Sequence, residues 1–430
     1  MPNLFQSFSN FLLIRNKGNQ NMYTEIKLNE NNIFRIVCDI IASVLTKIRG
    51  NISDIPPISE WSNHTRITKE GFEVDSVELI ALATYVNQMF HLYETGVEEF
   101  LLRKSQIGQW AEVVMKSLSK KHDSITFKTS GSTGIEKDIR HQWDEMLQEV
   151  RFFSNLFQQT NRIVSFVPCH HIYGFLFTVI LPRMLNVSVV DFRFKSIAQI
   201  VSSFKPNDLI VSTPIQLRYL NDSMASDFQI KTSNIQGLTS TAPCPPELIQ
   251  SLRKKGIQTI TEIFGSSETS GIGYRQSPHA PYRLLPFLNA IKDKDLLEKK
   301  LPSGQVRIIE VVDNLQWIDH RRFKPIKRKD GCVQIAGINV QPEYVAKKIN
   351  THPDIETCAV RMMTPNEGDR LKAFIVTKDK HISESKQNEI KKWIRHNLLS
   401  VERPAAIIFG NALPRNEMGK LKDFKINNIS

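Results

Sequence analysis

Apolar residues recur every three to four positions in three stretches of the first third of the chain: IFRIVCDIIASVLTKI, VELIALATYVNQMF and IGQWAEVVMKSL. That spacing lays an apolar stripe along one face of a helix, so residues 31–118 are predicted to be mainly helical. Between the first two lies NISDIPPISEWSNHT, too rich in Pro, Ser and Asn to continue either. From about residue 122 the pattern changes. Short apolar runs (ITFK, RIVSFV, VSVVDF, DLIVS, IQTITEIF) alternate with helical stretches such as DEMLQEVRFFSNLF and PPELIQSLRKKG. This alternation predicts an α/β domain built on a doubly wound sheet. Past residue 305 come the strands QVRIIEVV, GCVQIAGINV, IETCAVRMM and LKAFIVTK and the helices PEYVAKKINTH and ESKQNEIKKWIRHNLL, a smaller α+β unit. The expected organisation is a polar tail over 1–30, a helical region over 31–118, an α/β core over 119–329 and a C-terminal unit over 330–430. No internal repeat is visible.

Composition narrows the function. The 430 residues are 41% hydrophobic and 23% charged, ordinary for a globular protein. The net charge of +12 reads either as a solvated Lys-rich surface or as a bias toward anionic ligands. Nucleic acid is not expected, because no aromatic-interleaved basic motif or zinc-finger spacing accompanies the charge. Five widely spaced cysteines without a CxxC argue for a reducing compartment and against a metal centre. No apolar run reaches the ~18–20 residues of a membrane span. The N-terminal LFQSFSNFLLI lacks the basic start and cleavage site of a signal peptide, so a cytoplasmic location is expected.

The chemistry-bearing residues begin at TSGSTGIEK, residues 129–137, which leaves the strand-like SITFK. Gly131 and Gly134 let the backbone fold around a ligand, and successive N–H groups form an anion-binding nest. Thr129, Ser130, Ser132 and Thr133 add hydroxyls, and Lys137 adds a positive charge. The alternative is a flexible Ser/Gly turn. IFGSSE, residues 263–268, leaves another strand through Gly265, Ser266 and Ser267 into Glu268, a carboxylate suited to Mg²⁺ beside phosphate. RKDG at 328–331 and LPRNEMGKL at 413–421 follow.

Taken together these segments resemble the adenylate-forming superfamily of acyl-CoA synthetases, aryl-acid ligases, nonribosomal adenylation domains and luciferases. TSGSTGIEK resembles the family's TSGTTGxPK loop, FGSSE its YGxTE, PCHHIYG at 168–174 its PxxHxxG, RKDG its GRxD hinge and PRNEMGK its PxxxxGK. The order is the family's, and the match covers about 122–430. The resemblance implies an ATP-dependent acid–thiol ligase with ATP, Mg²⁺ and CoA or phosphopantetheine as partners of a small carboxylic acid. It implies that 129–137 cradles the β- and γ-phosphates, Phe264 stacks on adenine, Ser267 meets the α-phosphate and Glu268 binds Mg²⁺. Asp313 and Arg328 would hold the ribose, Asp330 would be the hinge, and Lys420 would be the catalytic lysine. His171, beside Tyr173 and Phe175, would line the acid pocket, which suits an aromatic or medium-length acid. The C-terminal unit would rotate between half-reactions, moving Lys420 out and the loop at Gly337 in.

Departures from the family pattern are Glu136 for Pro before the loop lysine, Val311–Val312 for Thr-Gly before Asp313, and a helical region where the family has α/β structure. Within that region GFEVDSVELIALATYVNQMF resembles an acyl-carrier-protein motif, with Ser76 as the phosphopantetheine site and loading in cis or of a carrier in trans. A capping box of Asp75 and Glu78 accounts for the same residues without chemistry. A non-catalytic nucleotide-binding scaffold is the remaining alternative. Cys169 reads as pocket lining rather than a nucleophile, and Cys244 as part of a turn.

Overall fold

The computed structural model describes residues 26–50, 55–68, 71–130, 136–225, 228–230, 232–291, 295–335, 338–364, 367–414 and 421–424. Helix α1 (Glu30–Arg49) starts at an Asn29 cap, where Asn29 and Asn32 exchange side-chain bonds to each other's amides. It stops at Gly50, whose φ of 74° is a left-handed cap that glycine adopts without strain. Helix α2 (Ser76–Phe90) is capped by Asp75, which accepts from the Val77 and Glu78 amides at 2.8 Å each. Glu78 reaches back to the Asp75 amide and is clamped by Arg49 at 2.7 and 2.8 Å. The capping box thus also ties the end of α1 to the start of α2. Helix α3 (Ile107–Lys120) completes the helical region.

Strands β1 (Ser124–Ser130) and β2 (Glu136–Gln142) form an antiparallel hairpin, and α4 (Trp143–Leu156) follows directly. The central sheet then assembles from β3 (Arg162–Ser165), β4 (Ser188–Asp191), β5 (Asp208–Ser212), β6 (Ile235–Thr239), β7 (Ile257–Ser266), β8 (Ser270–Arg275) and β9 (Tyr282–Leu284). Three short strands, β10 (Leu288–Ala290), β11 (Leu296–Lys300) and β12 (Val306–Glu310), make a separate sheet, and β13 (Asp313–Trp317) and β14 (Arg322–Arg328) return to the main one. The main order is β13-β14-β9-β8-β7-β6-β5-β3-β4. Strands β4, β3, β5, β6 and β7 are parallel, and the rest are antiparallel. The predicted doubly wound sheet is therefore present, extended by an antiparallel half.

One face of the parallel strands is covered by α5 (Ile197–Ser203), α6 (Pro214–Ser223) and α7 (Pro246–Lys254), around Ile210, Leu217, Leu248 and Leu252. The other face carries α4 and a helical stretch over 172–185 whose middle turn, Leu176–Ile180, is a π-helix. The N-terminal helices join this second face. Ile36, Val86 and Trp110 belong to the same buried cluster as Phe127, Phe153, Phe177 and Phe323. A unit that moves independently needs a core of its own. The region over 31–118 instead shares its core with the sheet.

The C-terminal unit holds the hairpin β15 (Val333–Ile335) and β16 (Ile338–Val340), then α8 (Pro342–Ile349), β17 (Ile355–Met362), β18 (Leu371–Thr377), α9 (Glu384–Asn397) and β19 (Ala406–Phe409). Its own core forms around Val345, Ile349, Ala373, Ile375, Ile390 and Ile394. The α+β unit expected from the sequence is thus observed.

Candidate active site

A cavity of about 380 Å³ opens at the carboxyl ends of the parallel strands. This is where ligands bind in open α/β sheets. Val167 and Pro168 after β3, Thr213 after β5, Ser240 and Thr241 after β6, and Ile263, Gly265 and Ser266 of β7 contribute to its wall. Thr129 at the end of β1 joins them, as does Arg328 at the end of β14. Gln334, Ile338 and Asn339 of the C-terminal hairpin reach the same cavity.

Among the predicted phosphate-loop residues, Thr129 and Lys137 are opposite partners in the β1–β2 register, and Ser130 pairs with Glu136. Residues 129, 130, 136 and 137 are thus paired strand residues. Gly131, Ser132, Thr133 and Gly134 lie outside the described residues. Thr129 is buried, and its hydroxyl has no hydrogen-bond partner among the described residues. The Thr241 hydroxyl is likewise buried and unpartnered. Such groups carry a desolvation cost unless a ligand or water satisfies them. Lys137 is exposed.

Two backbone outliers frame the cavity. Thr241 has φ 79° and Ser270 has φ 60°. A β-branched residue at positive φ is strained, and such strain concentrates at ligand sites. Between them the turn after β7 carries the second motif. Ser266, Ser267 and Gly265 line the cavity, and Glu268 stands exposed at the tip. Glu268 makes no ion pair with a described residue, leaving its carboxylate open to share Mg²⁺ with phosphate oxygens. Phe264 is half-buried, with its ring against Tyr282 at 5.4 Å and Phe323 at 5.5 Å, and is not among the residues lining the cavity.

Asp313 and Arg328 are direct cross-strand partners of β13 and β14. Burial raises the Asp313 carboxyl above its ordinary range, against the pull of Arg328. The Arg328 guanidinium is bidentate on Asp330 at 3.0 and 2.7 Å. Asp330 also accepts from the Cys332 amide at 3.0 Å. Burial acts to raise the Asp330 carboxyl, but these donors outweigh it and hold the group below the ordinary value. The expected hinge residue is thus fastened to the expected ribose-binding arginine. Lys420 lies outside the described residues, yet both flanks of its segment are anchored. The Lys422 amide donates to Pro414 O at 2.8 Å, and Arg361 donates to Leu421 O at 2.7 Å.

The PCHHIYG segment enters the cavity through Pro168, His171, Ile172, Tyr173 and Gly174. A Cβ at Gly174 would overlap Pro168 O, which explains a glycine at that spacing. His171 is exposed and lies beside His170, the ring centroids 4.0 Å apart and the planes tilted by 41°. The Tyr173 hydroxyl donates to Ser212 O and Leu238 O, so its ring forms wall while its polar end is occupied. Phe175 corrects the sequence reading: it is fully buried against Phe127 and Trp143, and Phe177, half a turn on, lines the cavity instead. Cys169 is fully buried, burial pushes its thiol well up, and its amide donates to Asp39 at 2.6 Å. It belongs to the scaffold under the cavity. Ser76 is exposed at the first turn of α2.

Three site residues escaped the motifs. His141 of β2 is buried, and its Nε2 donates to Ser267 O at 2.7 Å, pinning the second motif to the strand that follows the first. Burial lowers its pKa, favouring the neutral ring. Lys128 lines the cavity, pairs with Asp138 at 3.2 Å and lies 5.5 Å from the Tyr85 ring of α2. Glu149 of α4 reaches the wall from below, where Ser270 Oγ donates to it at 2.6 Å.

The comparisons with known proteins bear on all of this. The family model for AMP-binding enzymes matches residues 79–302, and that for the AMP-binding enzyme C-terminal domain matches 345–420. The chain belongs to the AMP-binding enzymes. This is the adenylate-forming superfamily of acyl- and aryl-CoA synthetases. A 4-coumarate–CoA ligase of Halorhodospira halophila is 35% identical over 92% of this chain and 99% of its own length. One from Rhodobacter capsulatus is 29% identical over 90% of this chain and 98% of that protein. The solved structure of an amide bond synthetase from Marinactinospora thermotolerans superposes with a TM-score of 0.58 at 14% identity, covering 90% of this chain and 92% of that one. This AMP-binding enzyme is an adenylate-forming acid–CoA ligase. Its family match begins inside α2, so part of the helical region lies within the AMP-binding match. Among the described residues no helix is long and apolar enough to cross a membrane.

Proposed function

We propose that the protein joins an aryl carboxylic acid of the 4-coumarate kind to CoA through an aryl-adenylate. The observation that carries this is the cavity itself. Its lining combines Gly265 and Gly271, opposite each other in the β7–β8 register, and the apolar Phe177, Ile172 and Leu176 with the polar Thr129, Thr241, Ser267 and Arg328. A planar ring suits the former set and a nucleotide phosphate the latter. The names and full-length coverage of the relatives support the same substrate class.

In the first step a carboxylate oxygen attacks the α-phosphorus of ATP, and the bond to pyrophosphate breaks. The hairpin tip at 131–135 receives the departing phosphates, with the Thr129 hydroxyl as an added donor. Mg²⁺, held by Glu268 with phosphate oxygens, would neutralise charge there. Lys420 bridges the two anions as they meet. In the second step the CoA thiolate attacks the acyl carbon and AMP leaves. The hairpin β15–β16, seated in the cavity through Gln334, Ile338 and Asn339, fits the arrangement for this second step. His171 lines the path to the acyl carbon.

Incubation with ATP, Mg²⁺, CoA and either 4-coumarate or a medium-chain fatty acid, followed by mass spectrometry, tests the reading. The expected products are 4-coumaroyl-CoA, AMP and pyrophosphate, with the fatty acid turned over at least tenfold more slowly. Thioester from the fatty acid alone would contradict the aryl assignment. Transfer to a pantetheine arm on Ser76 is a second reading, favoured by the exposure of Ser76 at the start of α2. Treatment with a phosphopantetheinyl transferase should then add mass to wild type and not to Ser76→Ala; no mass gain removes it.

A further inference from the structure

Among the described residues that line the cavity, one carries a carboxyl group. Glu149 is 2% exposed, and it projects from α4 to the β7–β8 hairpin at the Gly265–Gly271 rung. Its Oε2 accepts from Ser270 Oγ at 2.6 Å, and the Gly271 amide lies 3.2 Å from both oxygens. These donors come from one strand. No cation pairs with Glu149 among the described residues; Lys299, the nearest positive influence, is bonded to Glu145 at 2.7 Å. A carboxyl group offers about four acceptor positions, so acceptor capacity remains beyond these bonds on a residue that lines the cavity. Gly271 lets the carboxylate pack directly on the strand, since a Cβ there would collide with Glu149 Oε1.

We propose that Glu149 is a specificity-determining residue that accepts a hydrogen bond from a hydroxyl at the far end of the acid's aromatic ring. The inference rests on the aryl-acid reading above and narrows it to hydroxyaryl acids. The acid's carboxylate lies toward Ser267 and Arg328, and its ring lies along the Gly265–Gly271 wall. The ring hydroxyl then meets a carboxyl oxygen, which accepts in either protonation state. An acid lacking that hydroxyl leaves Glu149 buried and short of a donor. Sites built in this way reject the unhydroxylated analogue strongly, whereas apolar pockets separate such pairs weakly.

The test is kcat/KM for 4-coumarate, cinnamate and 4-methoxycinnamate with wild type, E149L and E149Q. Wild type is expected to favour 4-coumarate over both others by at least about tenfold, the effect of one hydrogen bond of roughly 1.4 kcal/mol. E149L should lose that preference, with the 4-coumarate to cinnamate ratio of kcat/KM falling to within about twofold of one. E149Q, which keeps an acceptor, should retain most of it. The inference is overturned if wild type turns over 4-coumarate and cinnamate within twofold of each other, or if folded E149L keeps the wild-type ratio. Should E149L not fold, the wild-type series with the methoxy compound decides. Absence of turnover with all three acids would overturn the aryl reading and the inference with it.

Discussion

Burial lifts the Glu149 carboxyl to about 6, from 4.5 in an unfolded chain, with the Ser270 and Gly271 donors opposing the rise. The folded protein therefore holds this proton more tightly than the unfolded one. The contribution to stability is full below 4.5 and declines as pH rises through 6, by about 2 kcal/mol for a shift of this size. Urea unfolding of wild type and E149Q at pH 4 and pH 8 measures it. The difference should move in favour of the Gln variant by about 2 kcal/mol over that range; a difference independent of pH would mean that Glu149 is not buried as an acid. The same residue shows what the chain conceals. TSGSTGIEK and FGSSE are legible because a phosphate-binding turn needs small and hydroxyl residues at adjacent positions. Glu149 sits in DEMLQEVRFF, where a glutamate reads as a solvated helix face. Only the packing of α4 against β8 turns it inward. His141 is hidden for the same reason: its role comes from a contact with Ser267, not from neighbours in sequence.

At the scale of elements, the tail that follows Lys420 is fixed by a buried cation. Lys372 of β18 is fully buried and donates to Glu367 at 2.7 Å and to Phe424 O at 2.7 Å, with Asp423 3.2 Å away. Arg361 on the neighbouring strand holds Leu421 O. These contacts fix the stretch that immediately follows Lys420 in sequence. Lys372→Met should therefore slow adenylate formation by about tenfold or more, because breaking one half of a buried pair typically costs 3–5 kcal/mol. Thioester formation from synthetic 4-coumaroyl-AMP should be nearly unchanged, since the mechanism proposed above assigns Lys420 to the first half-reaction alone. Rapid-quench measurement of both half-reactions checks this, and equal loss in both would point to general unfolding instead. Most elements here were readable from period alone: α4, α7, α8 and α9 and the buried parallel strands each carry their own pattern. The β1–β2 hairpin was not, because Ser130 and Glu136 pair through backbone bonds that polar side chains neither signal nor prevent.

Over the whole molecule, the texture change near residue 118 marks a change of secondary structure rather than a boundary between cores. Trp110, Val86 and Ile36 pack with Phe127, Phe153 and Phe323. The cavity in turn draws on β1, the parallel sheet, β14 and the C-terminal hairpin. Periodicity reports which face of an element is apolar, not which partner covers it, so this union could not be read in advance. The central claim is that all these parts meet on one acyl-adenylate and that Lys420 acts there. Acid-dependent exchange of labelled pyrophosphate into ATP measures that step alone, without CoA. With 4-coumarate present, wild type should exchange, and Lys420→Ala should fall by about a hundredfold or more, the usual cost of removing one transition-state contact. Exchange that needs no acid, or that survives in Lys420→Ala at the wild-type rate, would contradict the account.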